Sequence, residues 1–193
     1  MQTRTGRPRT FEDQRVLGQA LELFWKKGYE STTTRELEDA LGLSQSSIYN
    51  AFGSKHGLLM AALSLYESLI SKQLVEPLEE ATDPMEGINQ FFDNLAEWVT
   101  HDGRRGCMII NLMAEDAGDN EEITKRTRAY RRRVRDALGT ALQRAGVPNH
   151  EARADILYGM VLGLNIAARG GGLTTEVERL VRSSHSVIDS WNV

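Results

Sequence analysis

Between Gln45 and Asn50 stand five side chains of one chemistry. Gln45, Ser46, Ser47, Tyr49 and Asn50 are uncharged, hydrogen-bonding and arranged around a single isoleucine, Ile48. Such groups suit base edges and phosphates in a DNA major groove, where each base pair shows its own donor and acceptor pattern. Nothing comparable suits catalysis. His56, His101, His150 and His185 are scattered, without metal-ligand spacing and without a nucleophile motif nearby. Gly170 to Gly172 follow an expected helix and lack the surroundings of a phosphate loop. The sequence therefore offers no catalytic set, no metal site and no cofactor site. Cys107 is the one cysteine, which excludes an internal disulfide. It stands where a helix should begin, behind Arg104 and Arg105, and both features favour the reactive thiolate. An inert buried cysteine is the commoner fate of a lone one, and that reading stays open.

The elements around the five polar residues are short. Thr33 with Glu36 forms a capping box, so a helix begins at Thr34 with Leu37 and Leu41 on one face. Gly42 suits the left-handed residue that ends it, and Leu43 supplies the following hydrophobic contact. Ser44 then caps a second helix from Gln45 to about Phe52, with Ile48 and Phe52 on its apolar face. Two short helices around a glycine occur in many helical proteins. The spacing alone leaves a helix-turn-helix and an ordinary helical corner as equal readings.

A longer pattern decides between them. Gly28, Tyr29, Thr32, Thr33, Arg35, Glu36, Leu37, Ala40 to Ser44, Ile48, Tyr49, Phe52, Ser54, Lys55, Leu58 and Leu59 form a continuous signature. This run resembles the DNA-binding domain of TetR/AcrR-type regulators. Family members often have Gly or Pro at the position of Ser46, and His or Tyr at that of Ala51. The base-reading set is thus this protein's own. The resemblance implies DNA contacts by Thr34, Arg35, Gln45, Ser46, Ser47, Tyr49, Asn50 and Lys55. By chemistry, Arg35, Tyr49 and Lys55 are the better phosphate binders, while Gln45, Ser46 and Asn50 are better placed to read bases. It also favours reading residues 1–10, with Arg4, Arg7 and Arg9, as an arm on the DNA and not a solvated tail. Gly106-Cys107-Met108-Ile109-Ile110-Asn111 resembles a Gly-Cys-Leu-x-x-Asn segment in one branch of the family. Some members of that branch respond to electrophiles or oxidants.

At 193 residues the chain fits one or two domains, and its composition, with only 4 prolines, reads as all-α. The net charge of −4 argues against a generally sticky nucleic-acid binder. Residues 1–56 carry 8 Lys/Arg against 7 Asp/Glu, and the remainder carries 15 against 20. A small DNA-reading part on an acidic body fits that division. No signal peptide and no stretch apolar enough to span a membrane is expected, so the reading is cytoplasmic and without membrane contact.

Beyond the head, Thr10 with Asp13 marks the start of a first helix running to Gly28. Ser54 caps a long helix from Lys55 to about Leu74, limited by Pro77. Asp83-Pro84 opens a helix to about Thr100, Cys107 begins a short apolar one, and Asn120 caps a long one to Gly146. The run Arg128 to Arg135 reads as a charged outer face. Asn149 caps a helix from His150 to about Arg169, and a last one runs from Thr175 to Trp191. About nine helices result, divided as residues 1–54 (helix-turn-helix with its arm) and 55–193 (ligand and dimer domain).

The body suggests a chamber. Phe92, Trp98, Cys107, Met108, Asn111, Tyr130 and Tyr158 are its candidate ligand-binding residues, since pockets are mostly apolar with a few placed polar groups. Plain core is the competing reading for each aromatic or methionine. Gly159, Gly163 and Ala167 form a small-residue row, and Leu180 and Val187 lie on an apolar face of the last helix. In the family this helix pair builds a four-helix bundle across a two-fold axis. The reading is a homodimeric repressor that leaves a palindromic operator in double-stranded DNA when a small-molecule effector or electrophile acts. Its rivals are an enzyme using the helical chamber and a protein-interaction module without DNA binding.

Overall fold

A computed structural model describes residues 9–100, 106–116, 120–170 and 174–191. Arg4, Arg7, Arg104, Arg105, Gly171 and Gly172 lie outside those residues, as do the side chains of Arg9, Thr10 and Asp13. Among the described residues every regular element is a helix. They are α1 (Arg9–Lys27), α2 (Thr34–Leu41), α3 (Gln45–Phe52), α4 (Lys55–Ile70), α5 (Glu76–Glu80), α6 (Pro84–Thr100), α7 (Met108–Asp116), α8 (Glu121–Arg144), α9 (His150–Arg169) and α10 (Thr174–Asp189). A π-turn, Ser71–Val75, joins α4 to α5. Counted as one rod, Lys55–Glu80, this stretch brings the helices to nine. The contacts divide the chain into Met1–Ser68 and Leu69–Val193.

In the first unit the apolar spacing of α1 buries Val16, Ala20, Leu21, Phe24 and Trp25 in one core with Leu37, Leu41, Ile48, Leu58 and Leu59. Full burial of each large side chain contributes roughly 1.5–3 kcal/mol. Trp25 meets Tyr66 edge to face at 5.0 Å, so both tryptophan and tyrosine are packing residues. Gly57 permits the tight step from α3 into α4, because a Cβ there would stand 1.9 Å from the Phe52 carbonyl oxygen.

The rod Lys55–Glu80 departs from expectation twice. Pro77 does not stop it. The π-turn pairs the Glu76 N–H with the Ser71 carbonyl, five residues back. Ser71 Oγ donates to Glu76 Oε1 at 3.0 Å and accepts from Arg133 Nη2 at 2.7 Å. Pro77 brings no N–H to the Gln73 carbonyl, and Asn94 Nδ2 reaches that oxygen instead at 3.4 Å. The rod ends at Ala81, where Arg144 donates to the carbonyls of Glu79 (2.9 Å) and Ala81 (2.6 Å). By length and composition (mean hydropathy 1.2) the rod could also cross a membrane, contrary to the expectation that no stretch could. Half of that window is buried inside the protein, with Leu63, Ile70, Leu74 and Leu78 as core residues.

In the second unit the caps are mostly local. Asp83 Oδ1 accepts from the Met85 and Glu86 N–H groups, and Asn120 Oδ1 from those of Glu122 and Ile123. Asn149 is an exception. It sits in the left-handed region at φ 54 and makes no side-chain cap, so its backbone conformation, which Asn tolerates, turns the chain into α9.

Candidate nucleic-acid interface

Capping fixes the position of α3 relative to α2. The capping box of Thr33 and Glu36 is complete, and Lys27 forms an ion pair with the same carboxylate. That pairing, first, and the Thr33 hydrogen bonds hold the Glu36 carboxyl at about 2 instead of its ordinary 4.5. Gly42 is left-handed at φ 65, and its N–H donates to the Glu38 carbonyl at 2.9 Å. The Glu38 side chain in turn accepts from the backbone N–H of Gln45 at 2.7 Å, tying α2 to the first turn of α3. Ser44 caps α3 by accepting from the Ser47 N–H at 3.2 Å.

This frame buries Ile48 and leaves Gln45, Ser46, Ser47 and Asn50 exposed. Phe52, expected on the apolar face, is half-buried. Ser46 and Ser47 hydroxyls each lie 2.9 Å from Ser44 Oγ. Tyr49 is half-buried, with its hydroxyl 3.4 Å from Thr34 Oγ1, so the two residues stand together at the α2–α3 junction. Arg35 is exposed in the first turn of α2. Lys55 lies over the Tyr29 ring at 4.5 Å and donates to the Glu30 carbonyl at 3.5 Å. Burial, followed by Glu30 and Tyr49, raises the Tyr29 pKa, so the phenol is neutral beneath the ammonium. All eight residues expected to meet DNA belong to this one unit.

The residues expected to bind a ligand are spread through the second unit. Phe92 is fully buried and packs edge-on to Phe91, while Trp98 is half-buried. Cys107 is 1 % exposed, and its N–H donates to Asn165 Oδ1 at 2.5 Å. Asn165 Nδ2 donates onward to the Val161 carbonyl at 2.7 Å. Gly106 has φ 77, and a Cβ there would stand 2.8 Å from the Asn165 carbonyl oxygen. Asn111 Oδ1 accepts from Arg169 Nη1 at 3.0 Å. The spacing Gly106, Cys107, Asn111 is thus a docking device that seats α7 on α9. Met108 is core. Burial first, then the neighbouring Cys107, pushes the Tyr130 phenol well above its usual range. A cavity of about 300 Å³ is lined by Arg128, Arg131, Arg132, Arg135, Asp155 and Tyr158. Of the residues expected around a chamber, only Tyr158 borders this cavity. The arginines escaped the sequence reading because a run of charge at every position hides which of them share a helix face.

Gly159 and Gly163 are exposed on α9, and a Cβ on either would meet nothing within 4 Å. Ile156 (50 % exposed) and Ile166 (70 %) flank them. Ala167, Leu180 and Val187 are half-buried.

A three-helix head presenting an exposed polar recognition helix, followed by a helical body, defines a DNA-binding transcriptional regulator of the helix-turn-helix class. Residues 16–62 match the family described as bacterial regulatory proteins, tetR family, and residues 84–169 match the C-terminal domain of LmrA/YxaF-like transcriptional regulators. The chain belongs to the TetR family. It is 28% identical over 195 residues to the HTH-type transcriptional repressor ComR of Escherichia coli K12, covering 96% of this chain and 91% of ComR. Its fold is that of SCO4454, a TetR-family regulator from Streptomyces coelicolor, with a TM-score of 0.86 at 19% identity, covering 95% and 97% of the two chains. It is also that of a cysteine mutant of the TetR-family regulator CifR complexed with 26-bp operator DNA, with a TM-score of 0.79 at 24% identity, covering 96% and 100%.

Proposed function

We propose that the protein is a homodimeric repressor that holds a palindromic operator through α3 and releases it when a small-molecule effector binds the second unit. The observation that carries this reading is the outer face of α3. Gln45, Ser46 and Asn50 are exposed and uncharged, and they project from a helix whose start is fixed by Ser44 and Glu38. A recognition helix needs such a rigid base, since direct readout depends on short, directed hydrogen bonds. Arg35, Tyr49 and Lys55 flank that face and take phosphates. ComR is named a repressor, and CifR was solved on operator DNA; both names support the reading. The exposed row Ile156, Gly159, Gly163 and Ile166 supports a two-fold partner on α9, with Ala167, Leu180 and Val187 at its margin.

The rod Lys55–Glu80 runs through the point where the two units divide. A small movement of it changes the separation of the two recognition helices in a dimer. Because half-sites lie about one helical turn or a multiple apart, such a change weakens both at once. Cys107, in its Gly-Cys-x-x-x-Asn segment, is the second candidate trigger. Its place at the docking point of α7 on α9 favours it, and its burial opposes direct attack.

The test is binding-site selection followed by titration of the selected duplex. The proposal expects an inverted repeat, two protomers per duplex and a steep decline of affinity with salt. Equal affinity for a single half-site and the full repeat would refute it.

A further inference from the structure

The arginine run of α8 is not one solvated face. Arg133 turns to Ser71, and Arg135 is held by Glu151 Oε2 at 2.5 Å and Asp155 Oδ1 at 2.9 Å. Arg128, Arg131 and Arg132 are left at i, i+3 and i+4, with Arg135 completing one stripe along the cavity. Like charges at those spacings repel each other. Among the described residues, Arg128, Arg131 and Arg132 have no carboxylate at ion-pair distance. Arg131 donates to the Met113 sulfur at 3.7 Å, a weak acceptor, and lies over the Tyr158 ring at 5.9 Å. Three cations therefore border a concave site with little negative charge to meet them.

The second observation comes from the cavity wall. Tyr158 is only 8 % exposed, and its buried Oη neighbours the Arg131 guanidinium without a hydrogen bond of normal geometry to it or to any other described group. Buried hydroxyls are satisfied in the large majority of cases, so an orphaned one on a cavity wall points to a ligand. Burial raises the phenol's pKa against the opposing pull of Arg131, and it keeps its proton at neutral pH. The phenol proton is therefore unclaimed beside three other donors, which is the chemistry of an oxyanion site.

We propose that this cavity takes a small organic anion, a carboxylate or phosphate on an apolar body. Arg128 and Arg132 hold the oxyanion, the Tyr158 hydroxyl donates to it, and Arg131 stacks against the Tyr158 ring. On the effector reading above, on which this part rests, that anion is the effector. The concave site, of about 300 Å³, is the size of a small molecule and includes Asp155, which disfavours a continuous track of DNA phosphates.

The experiment is a thermal-shift titration of the full chain with phenyl phosphate, benzoate and benzyl alcohol at millimolar concentration and constant ionic strength. At least one anion should stabilise the protein, and the neutral alcohol should not. The two anions distinguish a phosphate site from a carboxylate site. Arg128→Gln with Arg132→Gln should weaken anion binding by about tenfold or more, as expected for loss of charge-assisted hydrogen bonds. Tyr158→Phe should weaken it by a smaller factor without lowering the melting temperature of the free protein. The proposal falls if neither anion binds, if the alcohol binds equally well, or if the double variant binds the anions unchanged. A double variant that flattens the salt dependence of DNA binding, while the wild type binds no anion, would make the stripe a DNA surface and overturn it as well. An anion that binds as described yet leaves operator affinity unaltered keeps the site and removes the effector reading.

Discussion

Gln45 opens the recognition helix and Lys55 opens α4 just beyond its end, and the proposal gives them different work. Gln45 is exposed, and only its backbone is engaged, through Glu38. Gln45→Ala should cost roughly 1–3 kcal/mol at particular base pairs and relax preference there. Lys55 is already oriented by the Tyr29 ring and the Glu30 carbonyl. Lys55→Ala should lower affinity for all sequences alike and reduce the salt slope by about one. Competition titrations on cognate and random duplexes separate the two, and identical behaviour would remove the division into reading and positioning residues. Cys107 answers differently from its sequence context. Sequence placed it at a helix start behind two arginines, where a thiolate is favoured. Burial to 1 % exposure and the docking bond to Asn165 are long-range features that no local pattern announces. Native protein should therefore react slowly with a thiol reagent, and denaturation should release the full rate. Rapid labelling of the native protein at neutral pH would instead favour Cys107 as a direct trigger.

Elements whose ends are set by neighbours in the chain were legible, and those set across the fold were not. Thr33 with Glu36, Gly42, Ser44, Asp83 and Asn120 each satisfy backbone groups within four residues, so type and spacing suffice. Pro77 reads as a stop because its local effect is to remove a donor. Its survival inside the rod depends on Asn94 and on the link from Arg133 through Ser71 to Glu76, all distant in sequence. The split of the arginine run among Ser71, α9 and a cavity is illegible for the same reason. The cap of α2 makes a prediction about pH. The Glu36 carboxyl is lowered from 4.5 to about 2 by Lys27 and Thr33, so its contribution is full above 4.5 and fades as pH falls toward 2. The difference in melting temperature between wild type and Glu36→Gln should be constant near neutrality and narrow through that acid window. Thr33→Ala should cost roughly 1 kcal/mol at neutral pH, the usual value of an N-cap. A Glu36→Gln difference that widened on acidification would contradict the assignment.

For the whole molecule, the proposed dimer makes the arrangement of its two reading heads depend on the face of α9. Ile156 and Ile166 are 50 % and 70 % exposed in the single chain, and the glycines between them leave a groove with nothing within 4 Å of either Cβ. Covering a large aliphatic side chain is worth up to roughly 1.5–3 kcal/mol, and a two-fold axis doubles every contact. Gly163→Glu tests this with little disturbance of the protomer, since a Cβ at that position meets no neighbour within 4 Å. In the dimer it would bring two carboxylates to a close helix crossing, with no partner to offset their desolvation. Sedimentation should show wild type as a dimer at micromolar concentration and Gly163→Glu shifted to monomer, with unchanged helicity. Gly163→Ala, which adds bulk without charge, should weaken association less. Operator affinity should fall with the dimer, because each monomer retains only one half-site, while contact with a single half-site persists. A wild type that is monomeric at that concentration would sink the assembly. A Gly163→Glu variant that stays dimeric would instead move the interface off α9, leaving the exposed isoleucines to another partner.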